Sequence, residues 1–224
     1  MHPAKSVTFP SANQPARTMS FPTPLPMATK NLLDFLRGTP GMTWGFVIYR
    51  TTYTPQSNLQ FPKLLDIFQA NIQRRISTEL EPSSYIGHSR ADNELLMARY
   101  RPVVMDNPKF NKLSIPEVRS HFEAWVGLPD QVMDDDIRPD EQKSACLVID
   151  EEVMEVLADA KPYRREDYPV SVIRHWVKAV EAYPDDDGLE YLKVPIPDLW
   201  SFWSDLSLSP RLEEWIHPEG YYVA

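Results

Sequence analysis

A single cysteine, Cys146, in a chain of 224 residues rules out an intrachain disulfide and any zinc site built from several thiolates. It lies in the apolar run Ala145, Cys146, Leu147, Val148, Ile149, where a buried structural thiol is expected rather than a nucleophile. Glycine is scarce as well, at seven residues. No Gly-x-Gly-x-x-Gly and no P-loop follows any candidate strand, so a nucleotide cradle is not expected. The five histidines (His2, His88, His121, His175 and His217) contain no His-x-x-x-His pair, and there is no Gly-x-Ser-x-Gly elbow. The aspartate runs 134–136 and 185–187 lack the alternating ligands of a calcium loop and read as solvated turns. No metal and no cofactor is therefore expected. Basic residues are outnumbered 23 to 32, giving a formal charge of −9 that repels phosphate backbones and anionic lipid. Neither a nucleic-acid nor a membrane partner is expected. No apolar run approaches a transmembrane span and the N-terminus lacks a secretory apolar region, so the cytoplasm is the expected location.

What the chain does contain is a core. Hydrophobic residues make up 42% and aromatics 11%, enough to bury a substantial interior. Residues 1–28 carry repeated prolines without helical or strand period and read as a disordered tail, leaving 29–224 as one domain. Within it a short helix is expected over 32–37, ended by Gly38. A strand rich in β-branched and aromatic residues is expected over 44–53, stopping at Pro55. Phe61, Leu64, Leu65, Phe68, Ile72 and Ile76 recur at helical steps, so an amphipathic helix is expected over 61–80. A strand over 94–105 follows. Then Ser114, Pro116 and Glu117 open a helix whose stripe is Val118, Phe122, Trp125 and Val126. Residues 129–143 read as a surface loop, 145–149 as a buried strand, and Asp150 as the cap of the next helix. Strands at about 170–181 and 191–196 and an aromatic turn or helix at Trp200, Trp203 and Leu206 complete the order. Helices alternate with strands whose patterns are amphipathic, which indicates an α+β fold. A ferredoxin-like or dimeric α+β-barrel-like sheet with helices on one face is expected, with a homodimer closing the second face.

Alternate strand residues share a face. One phase gives Val47, Tyr49, Leu96, Ala98, Tyr100, Ile173, His175 and Val177, the side expected under helices. The other gives Phe46, Ile48, Arg50, Arg99, Arg101, Arg174 and Trp176. If the strands are neighbours, Arg50, Arg99, Arg101 and Arg174 converge beside Trp176 on a concavity suited to a planar anion; otherwise they pair with surface acids. His175 and His88 are the acid–base candidates, because imidazole titrates near neutrality, and Tyr49 is a candidate for polarising a carbonyl.

The segment Thr43, Trp44, Gly45, Phe46, Val47, Ile48, Tyr49, Arg50, Thr51, Thr52, Tyr53 resembles the opening strand of a large family of filamentous-fungal (ascomycete) proteins. Residues 123–126 and 146–152 are similar to it too, so the resemblance spans roughly 40–200. It implies a fungal source and a small-molecule role in specialised metabolism, and it carries no catalytic signature. The resulting expectation is a cofactor-independent isomerase or cyclase acting on a small aromatic or polyketide-like metabolite by acid–base chemistry. The alternative is a non-catalytic small-molecule-binding protein or a protein-interaction scaffold.

Overall fold

The computed structural model describes residues 23–128, 140–163, 174–184, 188–217 and 220–222. The expected tail falls largely outside them, as do the aspartate runs. Among the described residues, α1 (Met27–Gly38) precedes β1 (Val47–Arg50), and α2 (Pro55–Glu79) and α3 (Arg90–Arg99) lead to β2 (Val103–Met105). Then α4 (Ile115–Val126) and α5 (Asp140–Ser144) precede β3 (Ala145–Ile149). The chain closes with α6 (Glu151–Val156), β4 (Trp176–Glu181), β5 (Leu192–Pro195) and α7 (Leu199–Leu206).

The fold is α+β around one open mixed sheet of five strands in the order β2-β1-β3-β4-β5. β1 runs parallel to both β2 and β3, while β4 and β5 add antiparallel pairs. Parallel neighbours cannot be joined by hairpins, so each connection carries helices across a face of the sheet. The path from β1 to β2 contains α2 and α3, which pack with α1, α6 and α7 against Phe46, Ile48, Leu147 and Ile149. The return path from β2 to β3 contains α4, whose Val118, Phe122 and Trp125 pack against Val47, Tyr49, Cys146 and Val148. Most helices share one face, but it is the Phe46 and Ile48 side; the Val47 and Tyr49 side, expected under the helices, carries α4. The second face is covered by α4 of the same chain, where a partner copy was expected.

The residues 94–105 correct the sequence reading. Leu95, Met97 and Arg99 belong to α3, and only Val103–Met105 form a strand. The reason is local. Ala91, Leu95, Leu96, Met97 and Ala98 are good helix formers without a β-branch, and Ser89 with Asp92 makes a capping box. The only β-branched residues of the segment, Val103 and Val104, are where the strand lies. Similarly, α2 begins at Pro55, six residues before its apolar stripe, because the Thr54 hydroxyl accepts the Ser57 amide at 3.0 Å and proline fits the first turn. The short α5 occupies the end of the expected loop 129–143. β4 starts at Trp176, so Arg174 and His175 precede it.

The tryptophans are structural. Trp44 is fully buried, donates its indole N–H to the Leu96 carbonyl at 2.7 Å, and meets Tyr100, Trp200 and Trp203 with ring centroids 5.0, 5.4 and 5.4 Å away. This aromatic group joins the start of β1 to α3 and α7. Next to it Gly45 has φ +139°, and a Cβ there would lie 3.0 Å from the Pro102 nitrogen and 3.1 Å from the Arg101 carbonyl carbon. The buried Tyr100 ring is as close, with Cε2 at 3.1 Å, so backbone and an enclosed ring are both in the way. Gly45→Ala is therefore expected to destabilise the protein by roughly 1–3 kcal/mol, read as a lower urea midpoint with an unchanged slope. An unaltered midpoint would remove this close approach from the account of the fold.

Candidate functional site

In a sheet ordered 2-1-3, the chain leaves β1 in one direction and reaches β3 from the other. The loops after β1 and β3 lead to α2 and α6 on one face, whereas the loop after β2 leads to α4 on the other. Open sheets bind ligands in the crevice that diverging loops leave at the carboxyl ends of the strands. A cleft of about 350 Å³ lies at this point. Thr51, Thr52, Tyr53 and Thr54 line it from the β1–α2 loop; Asn111, Lys112 and Leu113 from the lead-in to α4; and Asp150, Glu151 and Glu152 from the start of α6.

Hydrogen bonds fix these three loops. The Thr51 amide donates to the Ile149 carbonyl at 3.0 Å, and the Lys112 amide donates to the Thr51 carbonyl at 2.8 Å. Lys112 has φ +62°, the left-handed conformation that a non-glycine residue adopts at some cost, and its side chain is exposed. Asp150 caps α6, its Oδ1 accepting the Val153 amide at 3.0 Å. Its Oδ2 accepts from Lys178 Nζ at 2.5 Å, and the same ammonium lies 2.7 Å from Glu152. Burial of Lys178 disfavours its charge, but the hydrogen bonds from Asp150 and Glu152 outweigh this and hold its pKa above the ordinary lysine value. Tyr53 is pushed up to about 12 by burial and by neighbouring Asp106, so its phenol stays protonated. One group is left over. Thr51 is 3% exposed and its Oγ1 has no hydrogen-bond partner. Among the described residues, no group of three or more His, Cys, Asp or Glu is arranged to hold a metal ion.

The four arginines do not form a common pocket. Arg50 is 6% exposed, and each guanidinium nitrogen is engaged. Nε donates to the Thr52 carbonyl at 3.0 Å, Nη1 reaches Asp106 at 3.4 Å, and Nη2 meets Ser57 Oγ at 3.2 Å and Asn58. The rings of Tyr53 and Phe61 flank it with centroids 4.4 and 4.8 Å away. It ties the end of β1 to the first turn of α2. Arg99 ends α3, and the exposed Arg101 lies at the opposite end of β1, its amide bonded to the Trp44 carbonyl at 2.7 Å. Arg174 is exposed and 3.7 Å from Asp159. Trp176 belongs to the core, with Lys193 over its ring. The expected convergence required 94–105 to be one strand, and the helix α3 removes that premise.

The acid–base candidates also occupy separate places. The Tyr49 hydroxyl and His121 Nδ1 share a hydrogen bond of 2.8 Å beneath α4. Burial raises the phenol pKa and, helped by Lys109, lowers that of His121, so the pair is neutral. His88 is fully enclosed; Nε2 bonds Asn93 Oδ1 at 2.8 Å and Nδ1 stands 3.7 Å from Asp92 without a hydrogen-bond partner. His175 links two groups: Nε2 contacts Asp159 Oδ1 at 2.9 Å and Nδ1 contacts the Tyr163 hydroxyl at 2.9 Å. The histidine lowers the Asp159 pKa through that hydrogen bond, keeping the carboxylate ionised. Neither His121 nor Tyr163 was singled out from the sequence, since their partners lie 72 and 12 residues away and no local pattern marks either pair.

Lys178→Met leaves Asp150 and Glu152 beside an apolar chain. With these carboxylates 26% and 49% exposed, solvent reduces the loss, and a destabilisation of about 1–3 kcal/mol is expected by urea unfolding at neutral pH. A variant as stable as the parent would show that the ammonium is not what holds the α6 side of the cleft. No family model, curated protein or solved structure matches the chain, so the site is read from its own chemistry.

Proposed function

We propose that this chain binds a small polar molecule in the crevice at the carboxyl ends of β1 and β3. The observation that carries the reading is the coincidence of a topological switch point with a cleft of about 350 Å³ lined from three separate loops. That volume is near the lower end of ligand pockets and suits a compact molecule. The walls support a polar occupant: apart from Tyr53 and Leu113, the lining side chains are hydroxyls, an amide, carboxylates and an ammonium. The large aromatics that would wall an aromatic ligand, Trp44, Trp200 and Trp203, are instead buried together in the core.

Native mass spectrometry after incubation with an extract of the source organism tests this. The wild-type chain is expected to retain a small compound, and Glu151→Trp, an exposed substitution at the rim, is expected to lose it. Retention of the same compound by Glu151→Trp would place its binding elsewhere.

A second reading keeps the acid–base chemistry of a cofactor-free isomerase or cyclase, in fungal specialised metabolism as the resemblance implies. It rests on the chain Asp159–His175–Tyr163, in which an ionised carboxylate orients the imidazole and the imidazole accepts the tyrosine proton. Under this reading His175→Gln slows turnover of the retained compound by about 10²-fold or more, and Asp159→Asn slows it less. Unchanged turnover in His175→Gln would remove the relay from the chemistry and leave simple binding.

A further inference from the structure

We infer that the occupant of the switch-point cleft is a neutral, hydroxyl-rich molecule of monosaccharide size, an inference that rests on the binding reading above. Two of the three carboxylates that line the cleft are already matched. Lys178 lies 2.5 Å from Asp150 and 2.7 Å from Glu152, so a cationic ligand would compete with a resident ammonium held by two carboxylates. An anion would meet the same two acids and Glu151, with Lys112 the one cation among the lining residues.

The features that usually capture phosphate are occupied too. A helix N-terminus binds an anion through its unsatisfied amides. At α2 the first helical residue is Pro55, which has no N–H, and the Ser57 amide is taken by Thr54 Oγ1 at 3.0 Å. At α6 the Val153 amide is taken by the Asp150 carboxylate, itself part of the cleft wall. At α4 the Ser114 backbone amide and hydroxyl are both engaged by Glu117 in a capping box, at 2.8 and 2.7 Å.

What remains is a mixed set of donors and acceptors on three loops. Thr51 and Thr52 offer hydroxyls, Asn111 an amide, Glu151 a carboxylate and Lys112 an ammonium. Vicinal hydroxyls of a ligand each donate and accept, so they can satisfy neighbours of both kinds without adding charge. Thr51 gives the independent sign that a partner is missing. Thr51 is one of the residues that line the cleft, it is more than nine-tenths buried, and its Oγ1 has no hydrogen-bond partner, which is costly in a folded chain unless something completes it. A ligand hydroxyl that reaches Thr51 Oγ1 can donate to it or accept from it, and Tyr53 and Leu113 give the C–H face of a sugar an apolar wall.

The test is a ¹H–¹⁵N NMR titration of the full chain with four separate probes: methyl glucoside, myo-inositol, inorganic phosphate and ethanolamine. Saturable shifts of the amides of 51–54, 111–113 and 150–152 are expected with at least one of the two polyols, and not with phosphate or ethanolamine. Thr51→Val, which keeps the shape and removes the hydroxyl, is expected to weaken that polyol roughly tenfold, the loss of about one hydrogen bond. Cleft shifts produced by phosphate or ethanolamine but by neither polyol would overturn the ligand class and leave the binding site standing. Silence of the cleft amides with all four probes would overturn both. Unchanged polyol affinity in Thr51→Val, or in the exposed variant Asn111→Ala as a second check, would overturn the contacts proposed here.

Discussion

β1 constrains everything else in this molecule. It is hydrogen-bonded on both edges to parallel neighbours and buried on both faces. A strand so placed has no hairpin connection available, so the chain must cross the sheet once on each face before β3 can form. Those two crossings supply the helices that cover Phe46 and Ile48 on one side and Val47 and Tyr49 on the other. They also send the loop after β2 to the opposite face from the loops after β1 and β3. The crevice is thus a geometric consequence of how the sheet is wound, and its lining is whatever the chain places immediately after two strands and before a third helix.

Charge inside the fold is used chiefly to fasten elements together. Arg50 follows three buried apolar positions of β1 and has its guanidinium enclosed between Tyr53 and Phe61 while bonding the Thr52 carbonyl and the first turn of α2. Such a planar, permanently charged group with several donors suits a junction of this kind better than lysine would. Lys178 plays a comparable role on β4, where an ammonium holds the carboxylates that begin α6. At the far end the Tyr222 hydroxyl donates to Asp205 at 2.5 Å, securing the C-terminal turn to α7. These residues look like ligand-binding groups in a linear sequence because guanidinium, ammonium and phenol groups near aromatics suit ligands. In the folded chain they are already engaged with their own neighbours.

Against that background the incomplete groups stand out. Helix amides around the cleft are capped, two of its carboxylates share an ammonium, and the Thr51 hydroxyl is left buried and unpaired. Buried polar groups are nearly always satisfied, so an exception on a cleft wall has functional meaning that an exception inside a packed core would not. His88 Nδ1 is such a core exception, enclosed beside Asp92.

Several features of this protein are determined by sequence because they depend on neighbours along the chain. The apolar spacing of Phe61 to Ile76, the Ser114–Glu117 capping box, the Asp150 cap and the β-branched run of β3 each specify local structure with short-range physics. The α3 segment was equally legible in principle, since its unbranched residues and the Ser89–Asp92 cap are local signals, yet alternating Leu95, Met97 and Arg99 imitates a strand. The pairing of strands is a different matter. Whether β1 lies beside β3, whether Arg101 and Arg50 share an end, and whether Tyr163 meets His175 depend on contacts between residues tens of positions apart, or on the folding of the segment between them. Tertiary structure alone decided these, and with them the site. Thr51, Asn111 and Glu151 have no distinctive sequence pattern, and only the winding of the sheet brings their loops to one crevice.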